Sequence, residues 1–298
     1  MRERDLQVLV EAMPYIRKFR DRLFIVKLGG ELLEDPEHLS AVAGDITLAR
    51  MVGIRVVVVH GGGPQASRMS TTLGHEPQMV GGRRVTDEAT LEVAKMVFAG
   101  QLNTDLLSQL HRHGGRGVGV SGVDGGLIDA RRRPKTRVVE DGLEREVDYG
   151  FVGDIVAVDP TLLLNLVENN FIPVVSSLGA DPEGTILNIN ADTIASEIAI
   201  AMQAAKLVVM TSVEGVRRDG TVEGGIFSVL HGREIDRLVS EGIVTKGMRP
   251  KLAACRRAVE SGVGEAHIIN GLAPHSLLEE IFTDEGAGTM ILADDPRG

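Results

Sequence analysis

FIVKLGGELLED, residues 24–35, is the stretch on which the reading of this chain turns. An apolar, β-branched run stops at Lys27, turns through Gly29 and Gly30, and resumes in residues suited to a helix. VVVVHGGG (56–63) repeats the arrangement with three glycines. Short uninterrupted apolar runs suit strands buried on both faces, as in a parallel sheet covered by helices. Glycine directly after such a strand permits positive φ and lets backbone N–H groups approach an anion. A following helix N-terminus adds its partial positive charge. A single such turn is ordinary in an α/β fold. Two of them, with a lysine between strand and glycines, point to a phosphate site.

The alternation continues along the chain. LFIVKL (23–28) precedes LSAVAGDITLARMVG (39–53), and VVVV (56–59) precedes PQASRMSTTLG (64–74). GVGV (117–120), FIPVVSSL (171–178), KLVVMTSV (206–213), HIIN (267–270) and TMIL (289–292) read as further strands between helical patterns. The expected fold is therefore α/β, a mainly parallel sheet covered on both faces. A helix is expected over residues 5–20, with Pro14 as a kink or break. Residues 128–153 depart from the rhythm and read as a polar hairpin around Asp141-Gly142.

Composition narrows the function. The 298 residues are 43% hydrophobic and 25% charged, enough for a full core. A formal net charge of −10 and a pI near 5.3 argue against a nucleic-acid surface, and Arg131-Arg132-Arg133 reads as a solvated run. The single cysteine, Cys255, excludes an internal disulfide or a cysteine-rich metal site and reads as a packing residue. No apolar run approaches the ~20 residues of a membrane span, so no membrane partner and a soluble, cytoplasmic protein are expected. Thirty-six glycines and no tryptophan suit tight strand–helix connections rather than an aromatic binding platform. The eight histidines lack metal spacing; His60 reads as packed or hydrogen-bonded locally.

Several phosphate and nucleotide patterns can be weighed. The P-loop is absent, since GIVTKGM (242–248) has Met where Lys is required. GVGVSG (117–122) matches the dinucleotide spacing, but its glycines alternate inside a strand-like run and no helix start follows, so it reads as a glycine-rich strand. LNINAD (187–192) sets Asn188 and Asp192 before a helix, where Asn and Asp are ordinary caps. TKGMRPKLAA (245–254) places Lys246, Arg249 and Lys251 at a helix start, unfavourable unless an anion is present. GGRRVTDEA (81–89) sets Arg83 and Arg84 at a turn where a carboxylate could meet a bidentate guanidinium. KLVVMTSVEGV (206–216) ends in small polar residues and Gly215, an edge able to receive a nucleoside. No G-x-S-x-G elbow occurs.

In series, KLGG, HGGGPQ, GRRVTDE, LNINAD, TSVEGV and GMRPK resemble the amino acid kinase family, from about residue 23 to the closing TMIL. The likeness is greatest to the arginine-sensitive branch with an N-terminal helix. It implies a three-layer αβα sandwich and a single domain over 1–298: a helix over 1–22, an amino-acid half over about 23–180 and an ATP half over about 181–298. It implies transfer of the ATP γ-phosphoryl group to the side-chain carboxylate of N-acetyl-L-glutamate, with Mg2+ held mostly by phosphates and water. By the same resemblance Lys27 and Lys251 approach the phosphoryl group, and Asp192 orients both lysines. Gly29, Gly30, Gly62 and Gly63 offer N–H groups, Arg84 holds the α-carboxylate, and Asn188 bonds the substrate. Thr211, Ser212, Gly215 and Thr245 line the ATP half. Ser212 stands where relatives often carry Asp, and Val123 where they often carry Lys.

The N-terminal helix resembles one that interlaces between dimers, so a homodimer or a hexamer (trimer of dimers) is expected. Tyr15, His267 and Glu280 occupy positions matching an arginine effector site, and arginine is the expected inhibitor. The plain alternative is a helix that only caps the core. Three rival functions remain open on sequence: a kinase for carrier-linked aminoadipate, a non-catalytic amino-acid sensor, and a nicotinamide oxidoreductase resting on GVGVSG alone.

Overall fold

The computed structural model describes residues 3–81, 83–140, 143–221, 224–244 and 247–294. Helix α1 (Glu3–Phe19) leads into β1 (Leu23–Leu28), a 3-10 turn over Gly30–Leu33, α2 (Pro36–Met51), β2 (Arg55–His60) and α3 (Gly63–Thr72). The hairpin β3 (Met79–Val80) and β4 (Arg83–Arg84) precedes α4 (Glu88–Ala94), a π-helical stretch (Lys95–Leu102) and α5 (Asn103–Arg112). Next come β5 (Gly117–Ser121), β6 (Ile128–Arg132), β7 (Thr136–Glu140), β8 (Leu143–Val147), β9 (Gly153–Val158) and α6 (Thr161–Glu168). Strands β10 (Ile172–Ser176), β11 (Leu178–Ala180) and β12 (Ile186–Asn188) lead to α7 (Ala191–Ala201) and β13 (Lys206–Thr211). The chain closes with β14 (Val229–His231), α8 (Gly232–Ser240), α9 (Met248–Glu260), β15 (Glu265–Asn270), α10 (Ser276–Phe282) and β16 (Gly288–Leu292).

Among the described residues the main sheet has eight strands in the order β14-β16-β15-β13-β1-β2-β10-β5. Every pairing is parallel except β15–β16. Side-chain alternation along β1 explains the layers. Phe24, Val26 and Leu28 point into a core with α2, α5 and α10, while Ile25 joins the core with α6, α7 and α9. Lys27 shares the face of Ile25, so the register of one strand delivers a cation to the α7–α9 side. In the order of strands, β1 is followed on one side by β2 and on the other by β13, a point where connections diverge and ligands bind at strand C-termini.

The structure refines two of these expectations, at Pro14 and in the polar excursion, and keeps GVGVS as a strand. Pro14 lies inside α1 without ending it. The polar excursion is larger than a hairpin: β7 and β8 pair as expected, but β6 and β9 join β11 and β12 in a second, four-stranded sheet. Asp141 and Gly142 lie outside the described residues. GVGVS forms edge strand β5, and its glycines have packing reasons: a Cβ at Gly117 or Gly119 would overlap Leu107 or Asn103 of α5. Cys255 is fully buried in α9.

The small sheet is tied to the first half of the chain at Gly150. Thr86 N–H donates to the Tyr149 carbonyl, and Phe151 N–H donates to the Thr86 carbonyl. Between them Gly150 has φ +71°, and a Cβ there would sit 2.9 Å from the Thr86 carbonyl carbon. Gly150→Ala is expected to destabilise the protein by more than about 1 kcal/mol in urea unfolding, because both the left-handed backbone and the space require glycine. An unchanged midpoint would contradict this.

Candidate active site

Helix α7 begins with a division of labour inside LNINAD. Asn190 is the N-cap, its side chain accepting from the N–H groups of Asp192 and Thr193 at 2.9 and 3.1 Å. The Asp192 carboxylate is therefore free of capping and turns toward the end of β1. Its Oδ1 lies 2.7 Å from Lys27 Nζ, and its Oδ2 lies 3.5 Å from Lys251 Nζ. Lys27 and Asp192 are 5% and 4% exposed, so the three charges meet largely away from water. Burial would raise the Asp192 carboxyl; Lys27 first and Lys251 second outweigh that and hold it below the ordinary carboxylate value. Lys251 stands in the first turn of α9, a turn with no acidic residue and no side-chain cap. One anion thus gathers two cations contributed by residues more than two hundred positions apart.

The glycine turns lie at the strand ends beside this cluster. Helix α3 starts at Gly62 and Gly63 without a side-chain cap or an acidic residue in its first turn, which leaves its N-terminal N–H groups for an anion. Gly29 differs from the expectation that it offers an amide: its N–H donates to the Met210 carbonyl at 3.0 Å, extending the β1–β13 ladder. Gly30 touches the second turn directly, since Gln65 Nε2 donates to its carbonyl at 2.7 Å and Pro64 occupies the space a Cβ would need.

Arg84 reaches the same end of α3. Its Nη2 donates to the Gly63 carbonyl at 2.8 Å and to Ser67 Oγ, while its buried Nη1 has no partner among the described residues. Burial lowers its pKa, and among the described residues no carboxylate pairs with it. Asn188 stands on β12, its Nδ2 donating to Thr86 Oγ1 at 3.2 Å. Gly215 borders a cavity of about 120 Å³ lined mostly by apolar side chains, among them Val213, Val216, Ile243, Val244 and Met248, with Arg217 at its wall. Thr211 is buried and Ser212 exposed, and neither lines that cavity. Thr245 lies outside the described residues. Sequence reading missed Ser67, Gln65 and the apolar cavity wall, whose residue types carry no signal until the fold assembles them.

Of the three expected effector residues, His267 and Glu280 meet at 2.6 Å. Two further residues, missed in the sequence, join them: Lys206 Nζ lies 2.8 Å from Glu265 and 3.9 Å from Glu280, and above the ring of Phe19 on α1. Tyr15 is half-buried and stands apart from them, near Asp284 beyond α10, which raises its pKa. Burial would lower the His267 pKa, but hydrogen bonds to Glu265 and Glu280 outweigh it and raise it above 6.5. A raised folded-state pKa contributes stability that is complete below about pH 6.5 and fades as pH climbs through the raised value. Urea midpoints measured from pH 6 to 9 should therefore fall more steeply for the wild type than for His267→Asn; parallel curves would count against the ion pair.

Residues 22–270 match the amino acid kinase family. Acetylglutamate kinase of Methanothrix thermoacetophila is 46% identical over 285 residues, 96% of this chain and 97% of its own. That of Methanocorpusculum labreanum is 47% identical over 286 residues, 96% of each chain. The structure of N-acetylglutamate synthase from Neisseria gonorrhoeae complexed with coenzyme A and N-acetyl-glutamate is 30% identical, with a TM-score of 0.84 over 97% of this chain; this chain spans 64% of the synthase. Carbamate kinase from Giardia lamblia bound to AMP-PNP, 15% identical with a TM-score of 0.65 over 92% of this chain and 99% of its own, shares the fold alone. With the family match covering most of its length, and close relatives aligned nearly end to end, the chain belongs to the amino acid kinase family.

Proposed function

We infer that the chain is an acetylglutamate kinase of arginine biosynthesis: it transfers the γ-phosphoryl group of ATP to the side-chain carboxylate of N-acetyl-L-glutamate. The relatives of that name, aligned over nearly the whole chain, support the substrate. The observation that carries the chemistry is the pairing of Lys27 and Lys251 on the single carboxylate of Asp192. Two ammonium groups and one carboxylate leave one positive charge in a poorly hydrated site, poised for a transferring phosphoryl group.

A carboxylate oxygen of the substrate attacks the γ-phosphorus. The bond from that phosphorus to the bridging oxygen breaks, and its electron pair stays on ADP. The nucleophile has no proton to lose, so Asp192 serves to hold the lysines rather than as a base. Catalysis then rests on alignment and charge compensation, as phosphoryl transfer requires. The unpartnered Nη1 of Arg84 suits the α-carboxylate, Asn188 suits the acetamido group, and the N–H groups of Gly62 and Gly63 suit the reacting anions. The apolar cavity beside Gly215 suits the adenine, so the N-terminal half serves the amino acid and the C-terminal half the nucleotide. Cations and amides line the reacting centre, and among the described residues no cluster of three or more His, Cys, Asp or Glu could hold a metal. Mg2+ would be held by the nucleotide phosphates and water, where it offsets their charge.

Regulation belongs to the same reading. A second synthase structure, 28% identical, is described as complexed with L-arginine, and the Lys206–Glu265–His267–Glu280 cluster offers both charges that such a ligand carries. We propose feedback inhibition by arginine and assembly as a homodimer or a trimer of dimers through α1.

In an ATP-dependent hydroxamate assay, N-acetylglutamate should give the main signal over glutamate, aspartate, aminoadipate and a carrier-linked substrate. Lys27→Ala or Lys251→Ala should lower the rate by roughly a hundredfold or more, the scale of losing one preorganised charge at a transition state. Equal rates for variant and wild type would remove the lysines from the chemistry. Titration with arginine to millimolar concentration should depress the wild-type rate and leave Glu280→Ala far less affected; a flat wild-type curve would end the regulatory claim.

A further inference from the structure

The histidine that ends β2 has no part in the mechanism above, yet it touches the triple-glycine turn from inside the protein. His60 is fully buried, and Asn103, at the start of α5, is 4% exposed. Asn103 Nδ2 lies 3.0 Å from the Val174 carbonyl and 3.3 Å from His60 Nε2, and His60 Nδ1 lies 2.9 Å from the Gly61 carbonyl. Carbonyl oxygens only accept, so the direction of each bond follows. Nδ1 carries the ring proton and donates it to Gly61. Nε2 is then the acceptor, and the Asn103 amide donates one N–H to it and the other to Val174. Burial lowers the His60 pKa from 6.5 to about 4, in keeping with a neutral ring.

The consequence lies in the next peptide. The described chain has no cis peptide bond, and in a trans peptide the N–H points opposite to the C=O. A Gly61 carbonyl drawn inward to His60 turns the Gly62 N–H outward, and that N–H makes no backbone bond among the described residues. The π-helical stretch supports the turn from behind: a Cβ at Gly62 would overlap Leu102 and lie 2.9 Å from Phe98. Gly119 on β5 clears the room that Asn103 occupies.

We propose that His60 and Asn103 are positioning residues for phosphoryl transfer, a buried hydrogen-bond chain that fixes the Gly61–Gly62 peptide so that its N–H faces the reacting anions. This rests on the kinase reading for its readout of rate, but the hydrogen-bond chain can be measured without substrate. Nitrogen-15 NMR of the full-length protein, with the ring assigned by loss of its signal in His60→Asn, should find His60 neutral and protonated at Nδ1 from about pH 5 to 8. His60→Leu should lower kcat about tenfold or more with the KM for ATP changed by less than about twofold, the split expected when only a transition-state contact is lost. His60→Asn, whose amide N–H overlays Nδ1–H, should restore most of kcat. Asn103→Leu should mix the two tautomers and lower kcat less than His60→Leu. A ring protonated at Nε2 in the wild type, or a folded His60→Leu with full kcat, overturns the proposal. A wild type unable to phosphorylate N-acetylglutamate overturns the substrate assignment, and the tautomer then decides the positioning by itself.

Discussion

A buried ammonium group needs a counter-charge, and in this protein one carboxylate serves two of them. Desolvation of Lys27 would be costly alone, and removing one partner from a buried pair typically costs about 3–5 kcal/mol. Asp192 therefore ties the end of β1 to the start of α7, and through Lys251 to the start of α9. The arrangement works because side chains on β1 alternate: the residues flanking Lys27 enter one core while Lys27 faces the other. A slip of one residue in β1 would turn the lysine toward α2, α5 and α10, away from Asp192.

Around that cluster the backbone supplies what side chains do not. The start of α3, with glycine at its cap, no side-chain cap and no acid in its first turn, leaves its peptide N–H groups able to meet an anion. Gly29 extends a strand ladder, Gly30 makes room for Pro64, and Gly62 accommodates Leu102 and Phe98. Glycines adjacent in sequence thus serve different purposes. The second sheet is tied in by a few contacts: β12 presents Asn188 to Thr86, and Gly150 lets the backbones meet there.

Much of this was legible in order of residues. Apolar runs ending in glycine announced parallel strands with close backbone turns at their ends, because the requirement for buried strands and close backbone approach is local. LNINAD was readable as a helix start with ordinary caps, and GMRPK as one carrying cations that a helix dipole disfavours. Other parts were illegible for equally physical reasons. Asn190 and Asp192 are both competent caps, and only the built helix distinguishes the one that caps from the one that reaches Lys27. Lys206 sits at the head of an apolar strand, with nothing in the order of residues to name Glu265 and Glu280 as its partners. The excursion over 128–153 looked like one hairpin because β7 and β8 pair locally, while the contact of β6 with β11 that builds the second sheet lies far along the chain.

What the sequence determined by itself was a set of local preferences: period-two burial, glycine at strand ends, and cations where a helix dipole disfavours them. These depend on neighbours a few residues away. The tertiary structure decided which charges meet, which of two glycine amides stays free, and which face of β1 receives the lysine. Those outcomes depend on the register of parallel strands joined by long crossovers, and distance in space is not written in distance along the chain.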